Sequence, residues 1–425
     1  MLRSATGRRR WALAVFVVVF VAHLESKVIT SGDSRWFIPV AVSILHHGVM
    51  DLDEYAERIR GEGYYGIQKV QGHFYNIFPP GTSLASLPLV WALDVFLEKA
   101  AGLSLERLLQ EQRLEKSERF IASFFVAAAA ALMFLVAAGY LETCSAALLV
   151  AGILAFATSA WSTASRALWQ HGPSMLMLTA AIYLFHRAKQ DPRAIQWTGP
   201  VLAFACIIRP TNAVPAVLLG VVVLLRHRGY RLRTLFLVLL VLLPFAAVNL
   251  RIYDAVVPPY FQPARLAFDS TFIEALAGNL FSPNRGLFVF SPILLLSLAG
   301  IFLKVRQRDF HTLDLALVLI LLLHWVVISA FPHWWAGYST GPRLFTDVVP
   351  IFVYFLMPVI RYIRSQPPAI SVPGAVVFGI LLFFSVWVHY RGANSWRVAA
   401  WNETPVSVDR DPSRVWDWSD LQFLR

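Results

Sequence analysis

Apolar runs close to one bilayer crossing in length recur from one end of this chain to the other, and basic residues gather in the short segments between them. A roughly 30 Å hydrocarbon core needs about 20 apolar residues in a helix, and only helices or closed barrels satisfy their backbone there. The recurrence therefore predicts an all-α polytopic membrane protein. With 57% hydrophobic and 15% charged residues, rules for counting soluble domains do not apply. The net charge of +11 is spread over those short clusters rather than one patch, so it reads as membrane topology and not as a nucleic-acid partner. Cys144 and Cys206 both lie in apolar stretches, which predicts neither a disulfide nor thiol chemistry.

The basic clusters set the orientation. Arg3, Arg8, Arg9 and Arg10 precede a first span at about 11–25 with no small-residue cleavage site after it. This predicts an uncleaved span with a cytoplasmic N-terminus. Arg187/Lys189/Arg193, Arg226/Arg228/Arg231/Arg233, Lys304/Arg306/Arg308 and Arg361/Arg364 should all share that side. Spans at 119–139, 144–161 and 173–186 reach the first of these clusters. Counting 79–97 as another would reverse every later cluster, and Pro79, Pro80, Pro88 and Asp94 suit a spanning helix poorly. It is expected to stay outside, as an interfacial or re-entrant element.

By the same parity, 196–225 must be a hairpin, broken at Arg209-Pro210-Thr211-Asn212. Spans at 234–250, 287–303, 312–330, 345–361 and 370–389 bring the total to about eleven transmembrane helices. Residues 1–390 then form the membrane domain, with a long first extracytoplasmic loop at 28–118 carrying interfacial helices. Loops 251–286 and 331–344 and a tail, 391–425, lie on the same outer side.

The first outer loop opens with Ser31-Gly32-Asp33-Ser34-Arg35-Trp36. Trp36, Phe37, Val40 and Ile44 share one helical face, which predicts an amphipathic helix with Asp33 at its start. A helix cap would explain Asp33 by itself. Its company points to a site: Arg35, Asp51, Asp53, Glu54, Lys69 and His73 follow in the same loop, and Lys69 or His73 could meet a phosphate.

Later outer segments repeat one combination of cation and aromatic: Ser165-Arg166 with Trp169 and His171, Arg209 in the hairpin, Ser282-Pro283-Asn284-Arg285-Gly286, and His333-Trp334-Trp335-Ala336-Gly337-Tyr338 leading to Gly341-Pro342-Arg343. Trp334, Trp335 and Tyr338 also suit an interfacial belt. Outer-side arginines in a protein that keeps its cations inside call for an anion, and the one at that depth is a lipid phosphate, which guanidinium groups bind bidentately. Neither metal-ligand spacing nor a Gly-rich phosphate loop nor a Gly-x-Ser-x-Gly nucleophile signature is present.

Taken in order, these parts resemble the bacterial membrane glycosyltransferases of the GT-C class, in the group similar to protein O-mannosyltransferases and the lipid A aminoarabinose transferase. The resemblance runs over nearly the whole chain. It implies a multi-pass protein of the bacterial inner membrane that moves a sugar from a polyprenyl-phosphate donor to an acceptor hydroxyl on a lipid, glycan or protein, with inversion at the anomeric carbon. Carried over, Asp33 is the general base, Arg166, Arg209, Arg285, Arg343 and Lys69 hold the donor phosphate, and Arg35, His73, His171, His333, Trp335 and Tyr338 line the substrate pocket. Relatives often carry an acidic pair where this chain has Asp33-Ser34, and an Asp where it has His171. No cofactor is therefore assigned, and a divalent metal is left open. A transporter or flippase of a lipid-linked glycan would also carry many spans and buried cations, but it would show matched halves, which this sequence lacks.

Overall fold

The computed structural model describes residues 5–30, 32–110, 114–141, 143–262 and 266–425; Arg3 and Ser31 lie outside them. After α1 (Ala5–Leu24) the chain forms α2 (Phe37–His47), the short α3 (Ala56–Glu62), an antiparallel hairpin of β1 (Ile67–Val70) and β2 (His73–Asn76), then α4 (Gly81–Ala101) and α5 (Leu105–Gln110). Next come α6 (Glu115–Tyr140), α7 (Cys144–Phe156), α8 (His171–Arg187), α9 (Thr198–Ile208), α10 (Ala213–Arg226) and α11 (Arg231–Tyr253). The chain continues through α12 (Thr271–Phe281), α13 (Leu287–Phe290), α14 (Leu296–Arg306), α15 (Thr312–Ser329), α16 (Val349–Ser365), α17 (Pro368–Asn394) and α18 (Trp396–Ala400). Among the described residues six helices are long and apolar enough to cross a membrane: Gly81–Ala100, Glu115–Tyr140, Arg228–Tyr253, Thr312–Ser329, Arg343–Ser365 and Pro368–Asn394.

The centre of the bundle is α16, buried along its whole first three turns from Val349 to Ile360. A helix that is apolar all round belongs inside, and its neighbours close on it through small residues. Gly300 on α14 is the tightest case: a Cβ there would fall 1.7 Å from the Phe355 carbonyl oxygen. A second seam uses Ala127, Ala130, Ala137 and Ala138 of α6, all buried. By contrast α11 buries only Thr234 and Asn249 and presents the rest of its apolar surface outward, as a lipid-facing helix would.

The expected hairpin at 196–225 forms. α9 has 11 residues and α10 has 14, about 17 and 21 Å at 1.5 Å per residue, so neither spans a full hydrocarbon core. Their junction at Arg209 is largely enclosed, with 12% of the Arg209 side chain exposed. The run at 287–303, read from sequence as one span, is instead divided into α13 and α14 at Ser291-Pro292, where proline removes a helical donor.

Segment 33–118 begins and ends at one place, because Ser34 Oγ donates to Glu118 Oε2 at 2.5 Å. Within it α2 and α4 run side by side in the same direction. Ser83 Oγ donates to the Phe37 carbonyl (2.9 Å) at their starts, and His46 lies 3.4 Å from Asp94 near their ends. Gly81 makes that entry: a Cβ there would meet the Ile208 backbone nitrogen at 2.3 Å. The α2–α4 pair thus starts beside Asp33, and α4, expected from sequence to be interfacial or re-entrant, is itself one of the six helices long and apolar enough to cross a membrane. Gln71 (φ 51°) and Gly72 (φ 95°) turn the β-hairpin, the left-handed pair that a two-residue connection demands.

Candidate active site

Four elements converge at the start of the first loop. The strand-like passage after α1 is pinned by Val28 N–H to the Ala393 carbonyl (3.0 Å) and Thr30 N–H to the Arg166 carbonyl (3.1 Å). This delivers Asp33 to the N-terminal ends of α8 and α16 and to the enclosed α9–α10 junction. Asp33 Oδ2 accepts from Arg343 Nη2 at 2.5 Å, and Oδ1 accepts from the Tyr65 hydroxyl. The Arg343 guanidinium lies 4.1 Å over the Trp169 ring, and its Nε donates to His171 Nε2 (3.2 Å). A stacked and hydrogen-bonded Arg is held as a rigid plane, which Lys could not reproduce.

Behind Arg343 the cluster is buried. His171 Nδ1 lies 3.0 Å from Asp347 Oδ1, and Arg209 Nη1 lies 3.2 Å from Asp347 Oδ2 and 3.1 Å from His171 Nε2. Arg209 Nη1 also lies 2.6 Å from His171 Nδ1, so the imidazole sits edge-on to guanidinium at both ring nitrogens with the Asp347 carboxylate beside Nδ1. Two carboxylates and two guanidiniums balance in charge. Asp347 is wholly buried while Asp33 keeps 27% of its side chain exposed, so Asp33 is the carboxylate a substrate can reach.

Burial alone would raise the pKa of Asp33. The Arg343 charge and the Tyr65 and Arg343 hydrogen bonds outweigh it and hold the carboxyl below its ordinary value. Burial and the neighbouring Asp33 charge push Tyr65 the other way, so its hydroxyl remains a donor. Asp33 is thus an ionised carboxylate at neutral pH, with both oxygens engaged by groups that a ligand could displace.

Of the residues proposed from sequence, Asp33, Arg209, Arg343 and His171 meet. Arg166 and Arg285 do not join them, for a shared reason. Arg166 is fully buried, with its five N–H groups on Ser165 Oγ and the carbonyls of His23, Ser26 and Val28. Arg285 donates to the carbonyls of Trp335, Asn284 and Gly337 and to Gln422 and Asn402, and faces the Trp401 ring. With every donor spent on the protein, these arginines brace loops and have none left for a phosphate.

Arg35 lies over the Tyr64 ring, whose hydroxyl donates to the Gly32 carbonyl. Lys69 stands over Phe74 on the hairpin, and His73 Nδ1 is 2.6 Å from Asp53 Oδ2; among the described residues neither pairs with Asp33. His333 and Trp335 both reach Asp409 Oδ1 (2.8 and 2.9 Å), and the Tyr338 hydroxyl donates to Ser407 Oγ (2.9 Å). All three fasten the loop before Arg343 to the tail. That loop takes left-handed backbone at Ala336, Gly337 and Gly341, and its Ala336 carbonyl accepts from Arg343 Nη1 (3.4 Å).

Two contributors, Asp347 and Tyr65, went unread in the sequence. Asp347 opens an apolar span four residues after Arg343, and an acid at that depth is itself a signal. Tyr65 is one aromatic residue among many, whereas Trp169 stood out beside Arg166 and turns out to stack on Arg343 instead. Asp51, Asp53 and His73 bring one ligand atom each within 4.8 Å, a set that could hold a divalent cation although their sequence spacing does not announce it.

Next to the cluster is an apolar cavity of about 350 Å³ between α2, α4, the hairpin, α9 and α11. Ile207, two residues before Arg209, lines it, as does Phe78, whose ring packs 6.4 Å from that of Tyr65. Lipid-exposed α11 supplies its far wall through Pro244, Phe245 and Tyr253.

No protein-family model matches the chain, and no curated protein is a significant match to it. Among solved structures, ArnT from Cupriavidus metallidurans, crystallised with undecaprenyl phosphate, is similar with a TM-score of 0.54 over 99% of this chain and 76% of that one, at 14% identity. At that identity the likeness is one of fold, and this chain has a GT-C-like polytopic membrane fold.

Proposed function

We propose that this protein is a membrane glycosyltransferase that moves a sugar from a polyprenyl-phosphate donor to an acceptor hydroxyl on the extracytoplasmic side of the bacterial inner membrane. The observation that carries the reading is the meeting of one accessible, ionised carboxylate with two guanidiniums beside an apolar cavity that reaches a lipid-facing helix. A polyprenyl chain suits the cavity, a phosphate suits Arg343 and Arg209, and a similar fold has been crystallised with undecaprenyl phosphate.

In this reading the donor phosphate takes Arg343 from Asp33, and Asp33 turns to the acceptor. The acceptor oxygen attacks the anomeric carbon as its proton passes to Asp33 Oδ2. The bond from the anomeric carbon to the phosphate oxygen breaks, its electron pair leaves with the phosphate, and the phosphodiester monoanion becomes a monoester dianion. The arginines stabilise that added charge, so no acid is required for the leaving group. The separation of roles distinguishes this site from hydrolases, which need a carboxylate pair. Asp347 and His171 position Arg209 and Arg343 and touch no reacting atom.

The test is sugar transfer from a panel of labelled polyprenyl-phosphate sugars in membranes holding wild type or Asp33→Asn at equal protein. Loss in the variant supports the enzyme and its base. Equal transfer by both removes Asp33 from that role. Absence of transfer with every donor, together with Asp33-independent movement of a lipid-linked glycan across the membrane, would replace the enzyme with a flippase.

A further inference from the structure

Helices α8 and α10 begin at the Asp33 cluster, with His171 and, one turn before α10, Arg209. Their other ends, about 25 Å away for a 17-residue helix, frame a second cavity together with the start of α15. It measures about 520 Å³. Lys189, Arg226, His227 and His311 line it, no carboxylate does so among the described residues, and Phe185 and Phe310 supply apolar wall. Arg226 is fixed at the mouth, its Nη2 donating to Thr312 Oγ1 at 2.7 Å. Asp309 lies 3.4 Å from His311 and is also engaged by Lys304 and Arg361. Asp314 at the start of α15 pairs with buried Lys304 at 3.0 Å.

A cavity lined by Lys189 and Arg226 and, among the described residues, by no carboxylate, next to apolar surface at a helix-bundle end, suits an amphiphilic anion. Positive clusters at this depth are ordinary in membrane proteins, but a surface cluster meant for orientation needs no cavity. The geometry points to a binding site for the phosphate headgroup of an anionic phospholipid at this face, opposite the Asp33 cluster, with Lys189 and Arg226 as its charged contacts and one acyl chain leaving along Phe185. The site is independent of the reaction proposed above.

The full chain in detergent, stripped of lipid, is titrated with phosphatidylglycerol or phosphatidylcholine, with and without inorganic phosphate, and bound species are counted by native mass spectrometry. Phosphatidylglycerol should bind more tightly than phosphatidylcholine. Lys189→Gln with Arg226→Gln should weaken it about ten- to thirtyfold, at roughly 1 kcal/mol per cation. Arg306→Gln with Arg364→Gln, an equal loss of charge outside the cavity, should leave it near wild type. Should the first pair disturb folding, Lys189→Gln with His311→Gln keeps the Arg226–Thr312 bond and is expected to weaken binding as well. Equal binding of the two lipids, equal loss in the control pair, or displacement of phosphatidylglycerol by millimolar inorganic phosphate would each overturn the lipid site; the last would make it a site for a free anion. Asp33→Asn should bind phosphatidylglycerol as wild type does, so this result stands apart from any failure of the transferase reading.

Discussion

Asp33 and Arg343 lie 310 positions apart and meet at 2.5 Å, the carboxylate of one on the guanidinium of the other. In a site that takes a phosphate, this pair is a resting contact: the arginine holds the carboxylate until a second anion competes for it. The order of binding follows, donor before acceptor. Removing a preorganised charge donor of this kind costs on the order of 10²–10³ in rate. Arg343→Gln and Arg343→Lys should both lose transfer, Lys because it forfeits the fork and the Trp169 stack. Initial-rate kinetics with both substrates varied would check the order; a random-order pattern would contradict it.

Asp33→Asn should cost about 10²–10⁴ in turnover, the range for a general base. Asp33→Glu should recover part of it. Single-turnover transfer at saturating donor separates this from a binding defect.

The pH dependence has a definite sign. Because the folded protein holds Asp33 below the ordinary aspartate value of about 3.9, the base form persists as pH falls and is lost only through the depressed pKa. Tyr65→Phe removes one of the bonds that hold it down, so the acid limb of the rate profile should move to higher pH. An unmoved limb would mean that another group sets it.

Asp347→Asn leaves Arg209 with less counter-charge and His171 without a full carboxylate acceptor. Its effect should fall mainly on donor KM, with Asp347→Glu rescuing little because the site is fully buried. A change confined to kcat would place Asp347 nearer the chemistry than its burial allows.

Arg285 offers a prediction about stability. Replacing it with Met strands five acceptors around a buried site; with charged hydrogen bonds worth about 1.5–3 kcal/mol each and partial relaxation, a loss of several kcal/mol is expected. The tail should then become a substrate for limited proteolysis near Trp401, while Asp33→Asn protein stays protected.

Much of this architecture could be read from the chain. Apolar length and the placement of Pro210 located the bundle and the broken hairpin, since these are properties of whole segments. Arg209 stood out because an arginine inside an apolar hairpin needs a partner. Its partner, Asp347, was hidden at the head of a span, where length dominates the reading. Arg166 and Arg285 carried the same signal as Arg343, yet three of the five side-chain hydrogen bonds of each end on backbone carbonyl oxygens. Every residue has a carbonyl, so composition cannot tell a brace from a ligand-binding arginine. The division of α13 from α14 was visible in Pro292 but lost in the apolar run around it.

Segment 33–118 opens and closes where Ser34 meets Glu118, yet it is tied to the bundle along its length: Gly81 packs on Ile208, Gln71 donates to the Arg251 carbonyl, and Tyr75 and Phe78 meet the rings of Tyr253 and Tyr260. The β-hairpin and the end of α11 therefore form one wall. A change in hairpin length is expected to be felt at the apolar cavity and, through Tyr65, at Asp33 itself.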